Sequence, residues 1–191
     1  RDPMMTRRIF SHSALRGLTV LALAGALGAC DRDLETPVAD AELQAMEADY
    51  VVFGMLSYVT ENGVRSGRIE ADTAFVYEET STALLRQMAL VFYDEYGAER
   101  ATVSGSDGEW DQATNRMVAR GDVVLLIHSD SSRIESAEIY YDQAIDKVWS
   151  DSTTVRTMKD GSVFSGTAFE SDMTFENLAI RGMRGGLPRN R

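Results

Sequence analysis

From Tyr50 onward, apolar residues return at every second position. Val51, Phe53 and Met55 alternate with their neighbours, as do Ile69, Ala71, Thr73, Phe75 and Tyr77, then Met88, Leu90 and Phe92, then Ala101 and Val103, with Trp110 following. A period of two puts alternate side chains on opposite faces of a pleated strand, and Val, Thr, Phe and Tyr are the residues such a half-buried strand favours. Turn signals separate the runs: Glu61-Asn62-Gly63, Asp94-Glu95-Tyr96-Gly97, Thr114-Asn115, Ser129-Asp130-Ser131-Ser132 and Asp160-Gly161. No helical pattern of convincing length follows residue 50. Many strands at short spacing predict an all-β domain: a sandwich, a roll or a barrel.

An internal repeat sharpens that expectation. Trp110-Asp111-Gln112-Ala113-Thr114-Asn115-Arg116-Met117 returns 31 residues on as Tyr141-Asp142-Gln143-Ala144-Ile145-Asp146-Lys147-Val148. A weaker copy surrounds Tyr77-Glu78 and Leu84-Leu85, and a degraded one begins at Phe169. Each unit is a strand ending in an aromatic–acidic pair, a polar turn and a returning strand. One such unit cannot bury its apolar face alone, so stacked antiparallel hairpins must build the core. Stacking leaves a first and a last strand with free backbone groups, and each can accept a strand from another chain.

The segment before residue 50 differs in kind. Met4 or Met5 is the expected start, with Arg1, Asp2 and Pro3 upstream of it. Arg7, Arg8 and Arg16 precede an apolar run from Leu18 to Leu27 that is too short to span a bilayer, which describes a secretory signal. The run ends in Leu27-Gly28-Ala29-Cys30, which resembles a bacterial lipobox. Residues 1–29 are therefore expected to be a lipoprotein signal peptide, and Cys30 the lipidated residue, with two or more acyl chains forming a stable anchor. Residues 30–49 are polar and acidic with Pro37, a tether. Residues 50–182 form the expected β domain and residues 183–191 a polar tail. Asp31 after Cys30 resembles the sorting signal that keeps lipoproteins in the inner membrane.

Charge and chemistry narrow the function. The 191 residues carry 19 Lys and Arg against 30 Asp and Glu, a net charge of −11, which leaves no footprint for nucleic-acid phosphates. One Cys supports neither a disulfide framework nor a cysteine zinc site. His128, Ser129, Asp130 and Ser131 superficially offer a base, a nucleophile and a carboxylate, but a triad converges from separate segments and does not form along one turn. Ser104-Gly105-Ser106-Asp107-Gly108 matches no phosphate loop, and the acidic pairs lack calcium-loop spacing. No cofactor, metal or catalytic residue is expected.

The lipobox, Asn62-Gly63-Val64-Arg65 through Arg68-Ile69-Glu70-Ala71-Asp72-Thr73-Ala74-Phe75-Val76-Tyr77, Phe92-Tyr93-Asp94-Glu95-Tyr96-Gly97, Met117-Val118-Ala119-Arg120-Gly121-Asp122-Val123, and Trp149-Ser150-Asp151 with Phe169-Glu170-Ser171-Asp172 together resemble the LptC family of lipopolysaccharide export proteins. The similarity runs over about residues 50–180. Many members carry a transmembrane helix at the front, whereas this chain is similar to the lipoprotein-anchored ones. The resemblance implies an open, twisted β-jellyroll of the OstA/LptA type. It also implies a periplasmic carrier that takes lipid A acyl chains from the inner-membrane lipopolysaccharide export ABC transporter and passes them to an LptA-like jellyroll, edge to edge.

On strand phase, the lipid-binding wall is expected to comprise Phe75, Tyr77, Met88, Leu90, Phe92, Val103, Trp110, Met117, Val123, Leu125, Ile134, Ile139, Tyr141 and Val148. Ordinary core packing would use the same residues. The acidic surface opposes a phosphorylated headgroup, with Arg65, Arg68, Arg116, Arg120 and Arg133 able to reverse that sign locally. Val51 to Tyr58 is the expected edge toward the transporter, and Phe164 to Ile180 the edge toward the LptA-like partner. Two other readings stay open: a structural periplasmic lipoprotein binding only protein, and a carbohydrate-acting enzyme whose carboxylates are brought together in space.

Overall fold

The computed structural model describes residues 47–186, residue 62 excepted. The expected signal peptide, Cys30 and most of the tether lie outside the described residues. Twelve antiparallel strands follow in one sheet: β1 (Tyr50–Glu61), β2 (Val64–Tyr77), β3 (Thr82–Tyr93), β4 (Glu99–Asp111), β5 (Arg116–Ile127), β6 (Ser132–Asp142), β7 (Lys147–Ser150), β8 (Thr154–Thr157), β9 (Val163–Gly166), β10 (Ala168–Ser171), β11 (Ala179–Arg181) and β12 (Arg184–Gly186). The one helical element among the described residues is a 3₁₀ turn at Gln143–Ile145, in which Asp142 caps by accepting from the Ala144 N–H. The predicted turns fall between strands.

Pairing runs in chain order from β1 to β6, and then the sheet forks. The Tyr140–Asp142 end of β6 pairs with β7, and its Arg133–Ser136 end pairs with β8. Beyond the fork, β7 leads to β10 and β11, while β8 leads to β9 and β12. The fork is a bend rather than a branch, because every strand breaks at the same height. Gly54 faces Asp72, Asp72 faces Gln87 and Gln87 faces Ser106, all outside the regular pairing. The same line crosses the bulge at Gly121 and Asp122, then Ala137, then residues 151–153, Thr167 and Gly182. Gly54, Gln87, Gly121, Asp122 and Gly182 adopt left-handed backbone there, at φ from 49° to 75°. Such residues turn a strand sharply, and a row of them creases the whole sheet.

The crease folds the sheet into two facing leaves. The first leaf holds the Met55–Glu61 part of β1 and everything paired in line with it out to β12; the second holds the Tyr50–Phe53 part and its line out to β11. Side-chain parity slips at the crease. Ile69 and Ala71 point inward before it and Ala74 and Val76 after it; Leu85 and Ala83 lie on one side, Met88, Leu90 and Phe92 on the other. The core between the leaves is a single cluster, in which Ile69, Val123, Leu125 and Ile134 are wholly inaccessible to solvent. Each side chain buried to that degree stabilises by about 1.5–3 kcal/mol. Among the described residues the sheet is not closed: β1 is one edge and β11 with β12 the other. The far edge overlaps the end of the expected Phe164–Ile180 span at Ala179 and Ile180 and runs on into β12, which occupies part of the expected tail.

Candidate functional site

The inner wall between the leaves is largely apolar, interrupted toward β6–β8 by the buried Ser132, Ser136 and Ser150, of which Ser136 and Ser150 share a hydrogen bond at 2.8 Å. One inward row crosses the first leaf as Ile69, Leu90, Val103, Leu125 and Ile134; another crosses the second as Ala74, Leu85, Gly108, Ala119 and Ile139. Gly108 leaves no room for a side chain: a Cβ built there would lie 2.9 Å from Met88 Cγ. The structure brings together Met88, Leu90, Phe92, Val103, Met117, Val123, Leu125, Ile134, Ile139, Tyr141 and Val148 in this cluster, with Trp110 packed on its rim. The Trp110 Nε1 has no hydrogen-bond partner among the described residues.

Phase fails at Phe75 and Tyr77. Phe75 is buried yet lies outside the core cluster, between Ala74 and Val76, which belong to it. Its cross-strand partners are Val51 and Leu84, and the row continues through Glu109, Val118 and Tyr140 to Trp149 on the outer face. The expected inward direction of both residues is therefore corrected. A strict period of two runs straight through Asp72, whereas the crease inserts a slip there. Several wall residues lay beyond the sequence reading. Ile127 continues the alternation of Val123 and Leu125 and was legible in that pattern. Phe169 sits in a short strand, marked in the sequence only as the start of a degraded repeat, and Phe175 in a polar loop with no periodicity to reveal it.

Opposite the crease the leaves meet along a seam. Phe92, from the first leaf, packs edge-on against Tyr141 of the second, at 5.3 Å between ring centroids. Phe175, from the β10–β11 loop, packs edge-on against the same Phe92 at 5.2 Å. Burial pushes the Tyr141 hydroxyl pKa well up, and the nearby carboxylates Glu61, Asp142 and Asp146 add to that, so the group stays neutral. Beside this aromatic trio a cleft of about 300 Å³ opens to solvent, lined by Val64, Arg65, Phe92, Tyr93, Arg100 and Met173 among others.

Most charge lies on the outer face, although Asp142 is buried and Arg156 partly so. Arg68 pairs with Glu70 at 2.6 Å, Arg116 with Asp142 at 2.6 Å, Arg133 with Glu135 at 2.9 Å and Arg120 with Glu109 at 3.4 Å. Arg65 lies over the Tyr58 ring, 3.8 Å from its centroid. These arginines are dispersed among partners and converge on no anion site. His128 is exposed, its Nε2 3.3 Å from Thr102 Oγ1, while Asp130 turns to Arg156 Nη2 at 2.5 Å. Base and carboxylate of the His128–Ser131 turn are engaged elsewhere. Among the described residues no group of three or more His, Cys, Asp or Glu could hold a metal ion.

Fold and interior together define an open β-jellyroll with a largely apolar inner wall and, among the described residues, two free edges. The chain belongs to the family described as lipopolysaccharide-assembly, LptC-related, whose model matches residues 17–182. Among solved structures it is similar to LptH of Pseudomonas aeruginosa, described as the LptA-homologous periplasmic component of the conserved lipopolysaccharide transport device. The identity is 13%, the TM-score 0.50, and the match covers 63% of this chain and 94% of that one. At that identity the likeness carries the fold alone. No curated relative matches the chain. Family membership carries a role in lipopolysaccharide transport in the periplasm and no enzymatic activity.

Proposed function

We propose that the chain carries the acyl chains of lipopolysaccharide between its two leaves and bridges an inner-membrane export transporter to an LptA-like jellyroll. The observation that supports this is the inner wall itself: a largely apolar surface folded over on itself, with most charge on the outer face and both edges unpaired among the described residues. Met88, Leu90, Phe92, Val103, Met117, Val123, Leu125, Ile134, Ile139, Tyr141 and Val148 line the groove, with Trp110 at its rim. Each methylene taken out of water stabilises by about 0.8 kcal/mol, so a twelve-carbon chain gains on the order of 10 kcal/mol before ordering costs. No headgroup contact is needed for retention on that scale. Release then needs a matching groove on the next protein or work done upstream.

In the bridge, β1 meets the transporter and β11 with β12 meets the LptA-like partner, each by adding a strand to a free edge. β1 also presents Phe53, Leu56 and Tyr58 to solvent, the first at 68% exposure, which suits an edge that is covered in an assembly. Cys30 carries the lipid anchor, and Asp31 keeps the protein at the inner membrane. The test is mass spectrometry of lipid retained by the full chain purified from membranes. Lipopolysaccharide recovered at near one copy per protein is the expected result. Protein partners without lipid would overturn the carrier reading in favour of a structural lipoprotein.

A further inference from the structure

Phe175 differs from every other fully buried member of the inner cluster among the described residues: it arrives from a loop, not a strand. The β10–β11 loop, residues 172–178, makes no strand pairing, yet delivers a ring that is 6% exposed into the seam between the leaves. The ring rests edge-on against Phe92, which itself spans the seam to Tyr141. Phe175 holds this position with φ at 60°, a left-handed backbone that costs a bulky side chain dearly. Burial of the ring offsets that cost, so the loop has little reason to keep this conformation once the ring leaves.

Met173 and Leu178 flank the ring as partly buried residues packed against the cluster, and the loop's hydrogen bonds are few and mostly solvent-facing. The Met173 N–H donates to Asp146 Oδ1 at 3.1 Å, Thr174 Oγ1 to Asp172 Oδ1 at 2.7 Å and Asn177 Nδ2 to Asp172 Oδ2 at 2.6 Å. Two of these three are internal to the loop and survive its movement as a unit. The cleft of about 300 Å³ at the seam shares Phe92 with the aromatic trio and Met173 and Thr174 with the loop, so it ends where the plugging ring begins.

We propose that Phe175 is a displaceable plug: its ring stands in for an acyl chain in the unloaded groove, and loading drives residues 172–178 outward from the seam. The inference rests on the acyl-carrier reading and adds to it the element that moves. The loop is also the connection into β11, one strand of the free edge, so a loaded groove and an unloaded one present that edge on a differently held strand.

The experiment uses the full chain and the fluorescent fatty acid 11-(dansylamino)undecanoic acid, whose emission rises on entering an apolar site. Phe175→Ala is expected to bind it about five- to ten-fold more tightly than the unaltered protein, because no edge-on ring contact has to be broken. Amide hydrogen exchange in the unaltered protein gives a second readout that requires no folded variant. The Phe175 N–H donates to the Asp172 carbonyl at 3.2 Å, and exchange across residues 173–177 is expected to quicken when the probe binds. Probe binding with unchanged or slowed loop exchange overturns the plug and leaves the carrier reading standing. Equal or weaker binding by a folded Phe175→Ala does the same. Failure of the unaltered protein to bind any probe overturns the carrier reading, and the plug with it.

Discussion

The ring of Phe92 meets the ring of Tyr141 edge-on at 5.3 Å although the two residues sit three strands apart, on β3 and β6. Along a sheet, three strand spacings come to about 14 Å, so the contact exists only because the sheet is folded on itself. It therefore reports the closed state of the two leaves. Phe92→Ala is expected to destabilise by about 3–5 kcal/mol, from lost burial and the cavity left behind. A double-mutant cycle with Tyr141→Ala, read by urea denaturation, should return a coupling of about 0.5–1.5 kcal/mol. Strict additivity would mean that the two leaves do not communicate through this pair.

The crease sets backbone conformation against residue type, most visibly at Gln87. Its φ is 49° and its side chain is exposed, so it makes no packing contribution that glycine would forfeit. Gln87→Gly removes the left-handed penalty of about 1–2 kcal/mol, less the extra freedom glycine has in the unfolded chain. A modest gain in urea midpoint is expected. A clear loss would show that the Gln87 side chain holds the bend by contacts of its own.

Gly166 gives the opposite case. A Cβ there would collide with Ile180 Cγ2 and lie 2.6 Å from the Arg181 carbonyl oxygen. The obstacle is in part backbone, which cannot rotate away. Gly166→Ala should push β11 off its neighbour and lower the thermal midpoint. It should also raise hydrogen exchange in Ala179–Arg181 while leaving β2 to β5 protected. Uniform loss of protection would place the strain in the core instead.

The same crease decides how much of the fold is legible in the sequence. Within one leaf, alternation is a reliable guide: Met88, Leu90 and Phe92, or Val123 and Leu125, keep one phase and lie where the period of two puts them. Across the crease the phase slips, and nothing in Ala71-Asp72-Thr73 marks the slip, so Phe75 and Tyr77 were carried to the wrong face. The turn residues were legible because Asp, Asn and Gly act locally. The fork beyond β6 was not, because one bent strand and two short ones look alike in sequence. Phe175 lay furthest from reach: an apolar residue in a polar loop is ordinarily exposed, and only the leaves' closure gives its ring a place to go.

Acid should loosen the turn that closes β5 to β6. Asp130 is partly desolvated, which opposes ionisation, but hydrogen bonds from Ser132 and the Arg156 guanidinium win and hold its pKa below the ordinary 3.8. A carboxylate depressed in the folded state adds stability above its unfolded pKa, and that contribution is lost as pH falls through the folded pKa. Stability should therefore drop below about pH 4, with Asp172 lowered likewise through Asn177 and Thr174 against its own desolvation. Asp130→Asn should lower stability at neutral pH and flatten the acid limb. A variant with an unchanged limb would assign the acid sensitivity to other carboxylates.

The parity slip supplies its own test of which surface meets lipid. Leu90 and Ile139 belong to the inner cluster, whereas Tyr77 shares its cross-strand row with Thr82 and Asp111 on the opposite face from Val76. A photo-crosslinking phenylalanine at position 90 or 139 replaces one apolar side chain with a larger one, at a cost of about 1–3 kcal/mol if the core does not relax. That is tolerable for a carrier able to part its leaves. Crosslinks to lipopolysaccharide in cells are expected from positions 90 and 139 and not from position 77. Equal yield from all three would mean that lipid contacts the outside of the sheet. The groove would then be an ordinary core, and the carried molecule would travel along its surface.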